Sequence, residues 1–130
     1  MANESEWVII SLSAEQRGAV DRSLDTAANL AAEELDQNTV DRAQGLRDVV
    51  GDQVASRYLE GDTSKAPRGE FPVRLGKGDW QFIARGLEAE SRTFREVADS
   101  DPHSQSDDDQ FLALATEAEN VVQLIARSIK

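Results

Sequence analysis

Trp7-Val8-Ile9-Ile10-Ser11-Leu12-Ser13-Ala14-Glu15-Gln16 holds two signals in ten residues. The first six are β-branched, aromatic or aliphatic apart from one serine, the composition of a short strand. Ser13 and Gln16 have the spacing of a capping box, in which a hydroxyl and an amide satisfy backbone N–H groups at a helix start. The stretch predicts a strand that runs directly into a helix beginning at Ala14.

Downstream, Val20, Leu24, Ala27, Ala28, Ala31 and Leu35 recur at three- and four-residue steps and so share one helical face, rich in small residues that let a neighbouring helix approach. Asp36-Gln37-Asn38-Thr39 is a polar break. Val40, Ala43, Leu46, Val50, Val54 and Tyr58 then predict a second helix from Thr39 to Glu60, with Gly61 suited to its C′ position. Gly45 and Gly51 each weaken that helix by about 1 kcal/mol relative to alanine, which suggests tight helix contacts there.

Residues 61–70 read as a connector. Phe71-Pro72-Val73-Arg74-Leu75 is a second short strand, which Pro72 confines to an edge or to its own first residues. Gly76-Lys77-Gly78-Asp79 turns the chain into a third helix carrying Trp80, Ile83, Ala84, Leu87, Phe94, Val97 and Ala98 on one face. After a loop from Asp99 to Asp109, Phe111, Leu114, Ala115, Ala118, Val121, Val122, Ile125 and Ile129 give the last helix the strongest apolar stripe.

The order strand, helix, helix therefore occurs twice. A shift of 63 residues places Leu12 on Leu75, Val20 on Ile83, Arg22 on Arg85 and Leu24 on Leu87, and a shift of 71 places Val50 on Val121 and Val54 on Ile125. The fold class expected is mainly α (α+β): four amphipathic helices with a small two-stranded ribbon, in a single domain over 1–130. Its possible repeat units are 6–60 and 71–130, packed about a pseudo-twofold axis. Two strands alone are marginal, so helices must cover one face of the ribbon.

Composition limits the chemistry. With no cysteine, disulfides, thiolate metal sites and a cysteine nucleophile are excluded. His103 is the single histidine and lies in the Asp99–Asp109 loop, so neither a two-histidine zinc site nor a serine–histidine–aspartate arrangement on rigid elements is available. That loop is rich in carboxylates, but Ser104 and Gln110 stand where an EF-hand needs its glycine and bidentate glutamate, so it reads as a helix-capping loop. No catalytic residue, metal site or cofactor is expected.

Asp and Glu number 25 against 14 Lys and Arg, a net charge of -11, and eleven of the basic residues are arginine. The pair of biases is similar to that of proteins from salt-loving archaea, although chains from high-GC bacteria share the arginine preference. Two readings of the acidity stay open: adaptation to salt, which screens crowded carboxylates, or a surface that mimics nucleic acid. Direct DNA or RNA binding is not expected at this charge. The polar, acidic start and the lack of any long apolar run argue against a secretory signal or membrane span, so a cytoplasmic location is expected.

One stretch departs from the acidity. Lys65, Arg68, Arg74 and Lys77 face only Glu70 across residues 65–77, a local charge of +3. Together with Trp80 these four make the candidate partner- or anion-binding site, because a basic patch on an acidic protein steers an anionic ligand or an acidic surface. The glycines of Gly76-Lys77-Gly78 could bring backbone amides to a phosphate, yet the spacing is neither a P-loop nor a dinucleotide fingerprint, and a plain turn is the simpler account. The function expected is a non-catalytic binding or regulatory module contacting an unknown protein partner, possibly as a homodimer. A phosphate- or nucleotide-binding domain and an acidic nucleic-acid-mimic inhibitor are the alternatives.

Overall fold

The computed structural model describes residues 7–60, 71–100 and 105–129, with side chains over 7–53, 71–99 and 109–129. Elements follow the order β1 (Trp7–Leu12), α1 (Ala14–Glu33), α2 (Gln37–Glu60), β2 (Phe71–Gly76), α3 (Lys77–Ser100) and α4 (Gln105–Ile129). The protein is thus mainly helical with one small two-stranded sheet, the α+β class expected.

The capping box forms as read. Gln16 N–H donates to Ser13 Oγ at 3.1 Å and Ser13 N–H to Gln16 Oε1 at 2.7 Å. At the other end α1 stops at Glu33. Asp36 N–H bonds Ala31 O and Leu35 N–H bonds Ala32 O, the paired bonds of a Schellman motif, with Leu35 in the left-handed position at φ 60°. Leu35 was expected on the buried face of α1. Because the helix has already ended, it is 91% exposed instead.

Helix α2 begins at Gln37, two residues before the expected Thr39, because Asp36 caps it by accepting from Thr39 N–H and Oγ1. Those bonds favour the ionised form and hold the Asp36 carboxyl below its usual range. Gly45 and Gly51 do not mark tight contacts, since a β-carbon on either would meet nothing within 4 Å. Helix α3 begins at Lys77, so Lys77-Gly78-Asp79 is its first turn rather than a loop before it.

The strands pair antiparallel, with Trp7 opposite Gly76 and Leu12 opposite Phe71. Alternation turns Ile10, Leu12, Phe71, Val73 and Leu75 into the core and leaves Trp7, Ile9, Ser11 and Arg74 exposed. Beneath the ribbon lie Val20, Leu24, Ile83 and Leu87 from α1 and α3, closed by Ala43 and Leu46 of α2 and Ala118, Val121 and Ile125 of α4.

Two contacts relate the halves. Ile10 pairs with Val73, and α1 crosses α3 where Ser23 meets Gly86. Both join positions 63 residues apart, the geometry of an approximate twofold axis through them. For α2 and α4 the burial pattern favours a step of 75, matching Ala43 with Ala118 and Leu46 with Val121, over the step of 71 read from sequence.

Candidate functional site

Of the five candidate site residues, Lys65 and Arg68 lie outside the described residues, as do Gly61 and His103. The other three are separated by the fold. Arg74 is exposed on the outer face of the ribbon, its guanidinium 4.9 Å from the centre of the Trp7 ring. Trp80 is fully buried and its indole N–H donates to Val8 O at 3.0 Å, so it supports the junction of ribbon and α3 from within and presents no surface to a partner. Lys77 opens α3 and lines a groove between α3 and α4.

That groove, about 510 Å³, is lined along α3 by Lys77, Gln81, Ala84, Arg85 and Glu88 and along α4 by Val122, Ile125, Ala126 and Ile129. Steps of four and three residues put Lys77, Gln81, Arg85 and Glu88 on one face of α3, while the α4 side supplies an aliphatic floor. Lys77 and Arg85 make no ion pair among the described residues. Arg85 was not among the candidate residues. Its position two turns beyond Lys77 on one helix was the signal that could have found it.

The corresponding hollow of the first half, about 390 Å³ between α1 and α2, is built differently. Its walls are Asp21, Gln44, Arg47 and Asp48, and Arg47 spans it by donating to Asp21 at 2.9 and 3.1 Å and to Asp25 at 3.0 Å. The Asp21 hydrogen bond, reinforced by the nearby carboxylates, holds the Arg47 guanidinium above its usual range. Asp21 stands 63 residues before Ala84, and Arg47 stands 75 before Val122. One hollow is therefore braced by ions; the other is aliphatic and open.

The Gly76-Lys77-Gly78 turn has its own anion. Asp79 folds back so that its Oδ2 would lie 3.6 Å from a β-carbon on Gly76, and Arg42 bridges Gly78 O at 3.2 Å and Asp79 Oδ1 at 3.3 Å. A carboxylate in the first turn complements the helix dipole and competes with any phosphate there.

One buried charge lies in the seam between α1 and α3. The Glu90 side chain is 9% exposed, with Arg22 Nε 3.5 Å from Oε1 and Thr26 Oγ1 donating to Oε2 at 3.3 Å. Arg22 also lies 5.6 Å from the Phe94 ring centre. Oε1, Arg22 Nε and Arg22 Nη2 are buried without a hydrogen-bond partner. Burial pushes the Glu90 carboxyl up, and the long contacts to Arg22 and Thr26 oppose this without offsetting it. The position faces Phe94 and the helix seam rather than the α3/α4 groove.

Among the described residues no group of three or more potential metal ligands clusters, and no helix is long and apolar enough to cross a membrane. No protein-family model, curated protein or solved structure matches the chain.

Proposed function

We propose that the protein is a small acidic module that acts by binding another protein, without chemistry of its own, and that the partner seats in the α3/α4 groove. The observation that supports this is the contrast between equivalent hollows: Arg47 braces the first against Asp21 and Asp25, whereas the second keeps an aliphatic floor and two cations with no ion pair. An apolar floor rimmed by charge fits an amphipathic segment, with the floor supplying affinity and Lys77 and Arg85 selecting acidic flanks. The module is read as cytoplasmic, and its halves as two copies of one strand-helix-helix unit. The matching of Ile10 with Val73 and of Ser23 with Gly86 supports that reading.

The test uses the parent protein and the Lys77→Glu/Arg85→Glu double variant as baits for affinity capture from the source cells at their native salt. Both substitutions are at exposed positions, so circular dichroism should report an unchanged fold. A protein retained by the parent and lost by the variant supports the groove. Equal capture by both refutes it.

A further inference from the structure

The two outer edges of the ribbon are built differently. Gln53 of α2 closes the edge of β2: its Nε2 donates to Arg74 O at 2.7 Å, and its Oε1 accepts from Arg74 N–H at 2.8 Å. Both backbone groups of Arg74 therefore point away from β1. In an antiparallel pair such outward residues alternate with hydrogen-bonded ones, so Pro72 points outward too, and it has no N–H to offer. Proline and a side-chain bracket are two of the ways a sheet edge is protected from adding a strand.

The outer edge of β1 has neither. Ile9 lies opposite Arg74 and Ser11 opposite Pro72, so their N–H and C=O groups also point outward. Counted by the 63-residue step, Ile9 stands where β2 has Pro72, and Ser11 stands where β2 has the bracketed Arg74. On α4 the position 75 residues after Gln53 is Ser128, whose hydroxyl donates to Leu124 O of its own helix at 2.8 Å. No described side chain bonds the backbone of Ile9 or Ser11. Trp7 and Ile9 beside this edge are 42% and 63% exposed.

The edge opens into a groove of about 470 Å³ that Gln16, Asn120, Gln123, Arg127 and Ser128 help to line, with no carboxylate among its lining residues. In a chain with 25 acidic residues that is a local reversal, and Arg127 makes no ion pair among the described residues. We infer that the outer edge of β1 is a strand-addition site that takes an extended, carboxylate-bearing segment of another protein. Main-chain bonds form to Ile9 and Ser11, and an acidic side chain reaches Arg127. A second copy is the poorer occupant, because two chains of charge -11 repel and the groove offers an arginine to the incoming strand. This site is separate from the α3/α4 groove and is tested through different residues.

The test pans a displayed library of random octapeptides against the full-length protein. Ile9→Pro removes the outward N–H at the position where β2 already carries Pro72, so the ladder to β2 should survive; its melting curve and circular dichroism check this. Arg127→Glu changes no backbone group and keeps the test decisive if Ile9→Pro unfolds. Selected peptides should combine β-branched and acidic residues. They should lose about tenfold or more in affinity on either variant, and bind Lys77→Glu/Arg85→Glu like the parent. The inference is overturned if the peptides bind both edge variants as tightly as the parent, if basic peptides win, or if none is enriched. Self-association that Ile9→Pro abolishes in light scattering would assign the edge to a second copy and overturn it equally.

Discussion

Ser23 Oγ lies 2.7 Å from the place a β-carbon would occupy on Gly86, so α1 and α3 cross at a distance only glycine permits. Ser23 is itself buried, and the core residues Val20, Leu24, Ile83 and Leu87 pack immediately around the crossing. A methyl group added there must push the helices apart or turn the serine, and overpacking of this kind costs about 1 to 3 kcal/mol. We expect Gly86→Ala to lower stability in urea by that amount. Ser23→Ala in the same chain should recover part of the loss. Strict additivity of the two substitutions would show that this contact does not set the helix spacing.

Leu35 occupies the left-handed position of the Schellman motif that ends α1, where glycine is the usual residue. Its side chain is 91% exposed, so removing it forfeits almost no packing. The left-handed conformation costs a side-chain-bearing residue about 1 to 2 kcal/mol. Leu35→Gly should therefore raise the urea midpoint without changing its slope. A lowered midpoint would mean that Leu35 makes contacts in the folded chain that outweigh its backbone strain.

Gly45 and Gly51 lie inside α2 with open space where a β-carbon would go. Alanine at each should add about 0.5 to 1 kcal/mol, the helix-propensity difference alone. Thermal melts of the single and double variants check this, and the two gains should sum because the residues make no shared contact. Loss of stability on either substitution would count against a solvent-facing position.

The contrast among these glycines shows what the sequence could and could not reveal. Periodicity gave the strands, the four helices and the class, because a 3.6-residue or two-residue repeat is written in the side chains themselves. It also gave the capping box, since Ser13 and Gln16 are local partners. Which glycine touches a neighbour is a property of the crossing of α1 and α3, and no local pattern distinguishes Gly86 from Gly45. The candidate site was legible in one member: Lys77 lines the groove, whereas Arg74 stacks on Trp7 and Trp80 went into the core. Arg85 and the groove floor needed the α3/α4 pairing, and the open edge of β1 needed the register that places Ile9 opposite Arg74.

The surface should respond to salt. With a net charge of -11, self-repulsion among carboxylates opposes the compact state in dilute buffer, and at 1 M salt the screening length falls to about 3 Å. We expect the melting temperature to rise between dilute buffer and molar KCl, even though exposed pairs such as Arg95 with Glu119, 2.7 Å apart, weaken over the same range. A flat or falling melting temperature would remove salt adaptation as the reason for the acidity.

Glu90 gives the fold a pH dependence opposite to that of an ordinary paired carboxylate. Burial raises its folded pKa above the unfolded value, with Arg22 and Thr26 opposing. Below the unfolded value the group is protonated in both states and burying it adds no charge penalty. As pH rises, the unfolded chain releases the proton first, so stability falls until the folded pKa is passed; above that the whole penalty persists. Glu119 has the other sign, because hydrogen bonds from Arg95 lower its pKa, so its contribution is present at neutral pH and lost on acidification. Glu90→Gln keeps an oxygen for Thr26 and removes the charge. Measured from pH 4 to pH 7, its melting temperature relative to the parent should climb with pH. A difference that shrinks with rising pH would mean that Arg22, 3.5 Å away, stabilises the ionised carboxylate more than burial opposes it.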